Sequence, residues 1–202
     1  MSSPLNRRAA TALETRRLIL DAALELFTAQ GYGATSVGDV AARAGVAVPT
    51  VYTSVGKKPE LLRGLLDRLD DMADVPLLAR EGMSSTDPAH VLRTGVRITR
   101  LFAERCGDII AAIASAASVE PEMASVYRAG MNRHLAGVQG AVDKLRQLKA
   151  LQPRLPRDDA VAIFYTITSH TTWAMLVKDH GWTFDQAEAW IINVLQRELF
   201  AP

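Results

Sequence analysis

The chain has 202 residues, 49% of them hydrophobic and 22% charged, which is enough apolar material to build a real buried core and excludes an intrinsically disordered chain. The formal net charge is +1, which excludes a polycation that would hold nucleic acid by its overall charge, so local charge must carry any such role. The single cysteine, Cys106, excludes an intramolecular disulfide framework and fits a reducing compartment; within a helical stretch it reads as a core residue.

The basic N-terminal segment is interrupted by Asp21 and Glu25 before any uncharged apolar stretch develops, so it is not read as a signal peptide. No run is read as reaching the ~18 apolar residues of a membrane span. The expected location is cytoplasmic, with no membrane partner.

Helical signals dominate, and alternating strand patterns are nearly absent. A first helix is predicted over about Ala10 to Gln30. Leu18, Ile19, Ala22, Ala23, Leu26 and Phe27 make one apolar stripe on it, and Gly31 is placed to end it in the left-handed conformation. After the connector GYGATS, Thr35 or Ser36 caps a short second helix whose Val37, Val40 and Ala41 face inward. Gly45 and Val46 make the next turn, and AVPTVYTS forms a third short helix. Pro59 fits the first turn of a fourth helix, where a missing N–H costs nothing. Its stripe is Leu61, Leu62, Leu65, Leu66 and Leu69, and Pro76 ends or kinks it. The loop EGMSSTDP leads to a helix start at Asp87-Pro88. Later helices are predicted at about 88–105, 108–118, 121–150, 158–180 and 183–200, with Gly107 and QPRLPR (Gln152 to Arg157) among the separators.

The organisation changes near residue 60. A compact set of short helices precedes that point and longer apolar helices follow. Residues 1–60 carry a net +2 and the remainder −1, the sign expected of a nucleic-acid-binding head. Gly45 lies between two short amphipathic helices, with a helix of about twenty residues before them. That is the outline of a helix-turn-helix on a three-helix support, with the motif at about 36–55. Ala41 lets the two helices approach closely. Val46 and Val51 can pack inward, which leaves Val48, Pro49, Tyr52 and Thr53 nearer the DNA side. The stretch Val46–Val55 has no charged residue; Lys57 and Lys58 supply charge at one end of it. Arg7, Arg8, Arg16 and Arg17 form either a disordered arm or a set of contacts to the DNA backbone.

The segment from Ile19 to Leu62, ILDAALELFTAQGYGATSVGDVAARAGVAVPTVYTSVGKKPELL, resembles the N-terminal domain of the TetR family of transcriptional repressors. The match rests on Phe27, Gly31 and Tyr32, the Thr-Ser entry at 35–36, VAARAGV, Thr50 with Tyr52, and Lys58 followed by Leu61 and Leu62; it covers about residues 16 to 66. The C-terminal GWTFDQAEAWIINVL is similar to the last helix of many members. The resemblance implies an all-α homodimer whose third helix enters the major groove of a near-palindromic double-stranded DNA operator, released by a small-molecule effector. It also implies phosphate contacts from Thr35, Ser36, Thr50, Tyr52, Ser54 and Lys58; the place of Lys57 beside Lys58 at the start of the fourth helix aims it along the same DNA-binding face. Val48, Pro49 and Thr53 then lie near base edges, where Val48 and Pro49, lacking donors, can offer only apolar contact, as to thymine methyl groups. Ala47 departs from the family's Ser or Thr and removes the side-chain cap of the third helix, which Pro49 partly offsets by presetting φ. Ser54-Val55 stands where many members have His-Phe.

The stretch 158–180 is apolar nearly all round, with Ile163, Ile167 and Ala174 on one side. The last helix offers Ala187, Trp190, Ile191, Val194 and Leu195 as a second seam. Periodicity alone allows either an intrachain core or a partner subunit; the resemblance favours a dimer interface. Phe102, Tyr127, Met131, His134, Tyr165, His170, Trp173 and Met175 have the character of a mostly apolar sensor pocket with a few polar groups. The histidines lack zinc-site spacing, and neither a dinucleotide loop nor a nucleophile elbow is present. No metal, cofactor or catalytic residue is therefore expected. The reading is an all-α, ligand-responsive repressor with a DNA-binding head at 1–60 and a larger ligand-binding and dimerisation domain at 61–202. The alternative is a helical metabolite-binding protein or enzyme that keeps the fold without binding an operator.

Overall fold

The computed structural model describes residues 4–72, 75–118 and 121–201. The side chains of Arg7, Arg8 and Leu69, singled out above, lie outside the described residues. The chain forms two compact units. One comprises Met1–Arg68 with Asp108–Arg128; the other comprises Leu69–Gly107 with Ala129–Pro202. Among the described residues the architecture is all-α, and Leu151 and Phe200 make an isolated antiparallel bridge.

The first unit opens with α1 (Pro4–Gln30), α2 (Val37–Ala44), α3 (Val48–Ser54) and α4 (Lys58–Met72). Ile19, Ala22, Ala23 and Phe27 of α1 are buried as their spacing predicts. Leu18 is an exception: it is 40% exposed, and Leu20 is buried in its place. Leu20 packs against α4, where a Cβ on Gly64 would come within 2.9 Å of its Cδ2. Gly31 ends α1 at φ +85°, a backbone state that favours glycine. Ser36 caps α2 in a capping box with Asp39, and Gly45 closes it in the left-handed conformation.

The second unit is built on α5 (Val75–Ser84), most of α6 (Pro88–Ala117) and most of α7 (Pro121–Gln147). It continues through α8 (Arg157–Ile167), α9 (His170–Ala174), a π-helical segment (Met175–Asp179) and α10 (Phe184–Leu199). Leu92, Val96, Val142, Phe164, Trp173, Ile191 and Leu195 are among the residues of its core. Thr183 and Gln186 form a capping box at the start of α10. At its other end the Gln152 side-chain amide donates to the Arg197 and Glu198 carbonyls, and the Gln152 backbone N–H donates to Leu199. Between them, Arg100 of α6 pairs with Asp185 and Glu188.

Three expected helix boundaries are corrected. Pro76 belongs to the first turn of α5, not to α4. Gly107 does not separate two helices; α6 runs through it. A mid-helix glycine costs only about 1 kcal/mol relative to alanine, and buried Leu101, Cys106, Ile109 and Ile113 on either side outweigh it. Finally, 158–180 is not one helix. The Thr168 hydroxyl donates back to the Phe164 carbonyl, while the Ser169 hydroxyl caps α9 by accepting from Thr172 N–H. These local bonds offer the backbone an alternative to continued helix.

The stretch Arg157–Asp179 is long and apolar enough, by composition, to cross a membrane, contrary to the expectation that no run approached that length. It is interrupted after Ile167, and Ala160, Val161, Phe164 and Trp173 are packed in the protein core.

Candidate nucleic-acid interface

The head is a helix-turn-helix held by few side chains. Val40 and Ala41 of α2 and Val51 of α3 are fully or almost fully buried. Val51 is the buried residue of α3, so this seven-residue helix is anchored by one apolar side chain and by its ends. Its N-terminal cap is Ala47, which makes no side-chain bond; Pro49 in the first turn supplies pre-set φ instead. At the C-terminal end, Arg16 reaches from α1 and its Nη1 donates to the Ser54 carbonyl at 3.0 Å. A cation there satisfies an orphan carbonyl and complements the helix dipole. Sequence reasoning treated Arg16 as a candidate arm residue and missed this role. The signal was present: Arg16 lies three and four positions before Ile19 and Leu20, on the buried face.

On its exposed surface α3 presents Val48 at 39% exposure, Tyr52 at 51%, and Pro49 and Thr53. The Thr53 hydroxyl donates back to the Pro49 and Thr50 carbonyls, at 3.1 and 3.2 Å. Thr50 and Ser54 are half-buried. Lys57 is exposed, and its backbone N–H donates to Glu60. The Lys58 ammonium sits 4.1 Å from the centroid of the Tyr32 ring and 3.4 Å from the Gly33 carbonyl. A cation held over a ring face is fixed without losing its charge.

Thr35 is buried. Its hydroxyl donates to the Gly31 carbonyl at 2.9 Å and lies 3.2 Å from the Gln30 amide. It serves the turn between α1 and α2 and leaves the set of surface contacts. Ser36 is exposed, but its hydroxyl is shared with Asp39. The Ser36 backbone and hydroxyl together hold the Asp39 carboxyl below its ordinary pKa. Arg17 pairs with Glu14 and Asp21 on its own helix, which offsets its charge locally.

The second unit brings part of the expected sensor set together. The His134 ring stacks on Tyr165 at a centroid distance of 4.7 Å, and its Nε2 lies 3.1 Å from the Thr168 hydroxyl. Burial pushes the His134 pKa down to about 4, with the nearby His170 adding to the effect. Burial also lowers His170. The Trp173 indole is buried and donates to the Thr99 hydroxyl at 3.2 Å. Phe102 and Met131 are half-buried, Met175 is 45% exposed on the surface, and Tyr127 belongs to the first unit.

The expected interface seam divides. Ala187, Ile191 and Leu195 are fully buried within their own unit and have no area to offer a partner, which corrects their assignment. Ala174 is half-buried. Ile163, Ile167 and Val194 line an open groove of about 470 Å³ with Ala162, Thr166 and Glu198. Trp190 is 39% exposed, with its ring edge-on to Trp182.

The sequence profile described as "Bacterial regulatory proteins, tetR family" matches residues 19–65, the segment that holds the turn, the capping box and α3. The HTH-type transcriptional regulator TtgR of Pseudomonas putida is 35% identical over 82 residues, 41% of this chain and 39% of its own length. The HTH-type transcriptional regulator EthR of Mycobacterium tuberculosis is 28% identical over 143 residues, 69% of this chain and 65% of its own. The chain carries a TetR-type helix-turn-helix segment. Its match to these two relatives spans less than two thirds of either one's length. Solved TetR-like folds extend the likeness to nearly the whole chain. A SmeT–triclosan complex superposes with a TM-score of 0.76 at 17% identity, covering 93% of this chain and 92% of its own. The transcriptional regulator FadR from Bacillus subtilis in complex with stearoyl-CoA gives 0.72 at 16% identity, covering 89% and 96%. At those identities the likeness is one of fold. In this chain the Arg16 contact to α3 starts three residues before the matched segment begins.

Proposed function

We propose that this chain is a ligand-responsive transcriptional regulator, a repressor that binds a near-palindromic operator as a homodimer in the cytoplasm. The observation that carries this reading is α3 itself. Val51 is locked into the core, and Val48, Pro49, Tyr52 and Thr53 are exposed, within the segment that matches the TetR profile. Residues 1–60 form the reading head; residues 61–202 hold the effector and join the two copies. Tyr52 and Thr50 with Lys57 and Lys58 hold phosphates and set register, while Val48, Pro49 and Thr53 meet the base edges. The complexes of related folds with triclosan and stearoyl-CoA support an effector with a large apolar part. The effector acts by binding the DNA-incompetent arrangement more tightly, and only that difference in affinity drives release. Ile163, Ile167, Val194 and Trp190 supply the face shared by the two copies.

The test is selection from a random duplex pool with the full-length chain at moderate salt, followed by mobility shift. Recovery of a two-fold related site bound by two copies is expected. Lys58→Ala should then weaken binding to all sequences about equally and reduce the salt slope by about 1. A chain that selects no sequence overturns the regulator reading and leaves a metabolite-binding protein or enzyme of the same fold.

A further inference from the structure

The exposed side of α3 is poor in groups that could read a hydrogen-bonding pattern. Val48 and Pro49 carry none. Thr53 carries a hydroxyl, but that hydroxyl donates to the Pro49 and Thr50 carbonyls at 3.1 and 3.2 Å. Held this way, the Thr53 hydroxyl is turned toward its own backbone, and the residue is exposed. Tyr52 carries the remaining hydroxyl at the end of a long ring. Positions 48, 49, 52 and 53 occupy less than half of the helix circumference, with the Tyr52 ring between Val48 on one side and Pro49 and Thr53 on the other.

In the major groove, thymine differs from cytosine in two ways. It has an O4 acceptor where cytosine has an N4 donor, and it has a C5 methyl group. A contact made by the hydrocarbon of Val48, Pro49 or Thr53 has no donor or acceptor, so it is insensitive to the first difference and sensitive to the second. Resting on the DNA-binding reading above, we propose that α3 discriminates pyrimidines by the C5 methyl group. Its operator is then recognised through 5-methylpyrimidines, and cytosine methylation at the contacted positions creates binding where unmodified cytosine does not.

The experiment uses the full-length protein and the best duplex from the random pool. Each thymine of one half-site is replaced in turn by uracil, which removes the methyl and leaves the pairing edge intact. At one or more positions affinity should fall about fourfold, the worth of one buried methyl-sized group. At those positions cytosine should bind weakly and 5-methylcytosine should recover about the same factor. Two variants separate the methyl from the hydroxyl of Thr53. Thr53→Val keeps the methyl and should retain the preference for thymine over uracil at every such position. Thr53→Ser keeps the hydroxyl and should lose the preference at one of them. Selective binding that is indifferent to uracil at every position, or a preference lost in Thr53→Val and kept in Thr53→Ser, overturns the proposal and leaves the regulator reading standing. Failure to select any sequence overturns both.

Discussion

Replacing Arg16 by alanine tests how α3 is held. The helix has seven residues, one buried side chain and no side-chain cap at its start, so its end contact matters more than it would on a longer helix. A hydrogen bond from a charged donor contributes about 1.5–3 kcal/mol, and a cation at a helix C-terminus about 0.3–1 kcal/mol. Arg16 is half-buried, so water competes for both partners and the lower end applies. The expected cost is about 1.5 kcal/mol, roughly a tenfold increase in the local opening of α3. Amide hydrogen exchange read by mass spectrometry should show faster exchange over residues 50–56, while α10 exchanges at its original rate. Affinity for a selected operator should fall with the salt dependence unchanged, because no phosphate contact has been removed. Unchanged protection of α3 together with a shallower salt slope would refute the reasoning and make Arg16 a phosphate ligand.

Gly56 joins α3 to α4 at φ +124°, and a Cβ there would lie 2.9 Å from Glu60 Cβ. Gly56→Ala should therefore cost about 2 kcal/mol in chemical denaturation, whereas Gly140→Ala, inside α7 with nothing within 4 Å, should gain up to about 1 kcal/mol; equal effects would show that conformation is not the cause. His134 is held with its pKa at about 4 against an ordinary 6.5, so the unfolded chain binds its proton first on acidification. Stability should fall as pH drops from about 6.5 to 4, by at most about 3 kcal/mol. His134→Gln should flatten that part of the profile, and a wild-type chain no more acid-sensitive than the variant would contradict the burial argument. Val194→Asp places a charge in the groove beside Ile163 and Ile167. It should leave the helical signal intact and shift sedimentation from dimer to monomer at micromolar concentration; an unchanged sedimentation coefficient would remove that face from the interface.

The head was legible because its signals are local. Gly31 and Gly45 take the left-handed conformations their positions suggested, Ser36 caps as expected, and the inward assignment of Val40, Ala41 and Val51 follows from helical spacing. What could not be read depends on partners distant in sequence. Leu20 packs against Gly64 of α4, and Arg16 is useful because Ser54 lies nearby. Periodicity located an apolar seam on α10, but it cannot say which chain covers that seam, and Ala187, Ile191 and Leu195 proved to be covered by their own unit. The interruption at Thr168 and Ser169 was in principle readable from the run of hydroxyl residues, yet the continuous hydropathy around it outweighed that signal.

The fastening of α10 has a mechanical consequence. Its first turn is locked by Thr183 and Gln186, its acidic side is gripped by Arg100, and its last carbonyls are taken by Gln152. A rod fixed in this way has little freedom to fray or bend, so it hands on displacement instead of absorbing it. A push at Trp190 or Val194 should turn the helix as one piece and drag the loop at 150–152 with it. The same ties that give α10 its stability make it a lever.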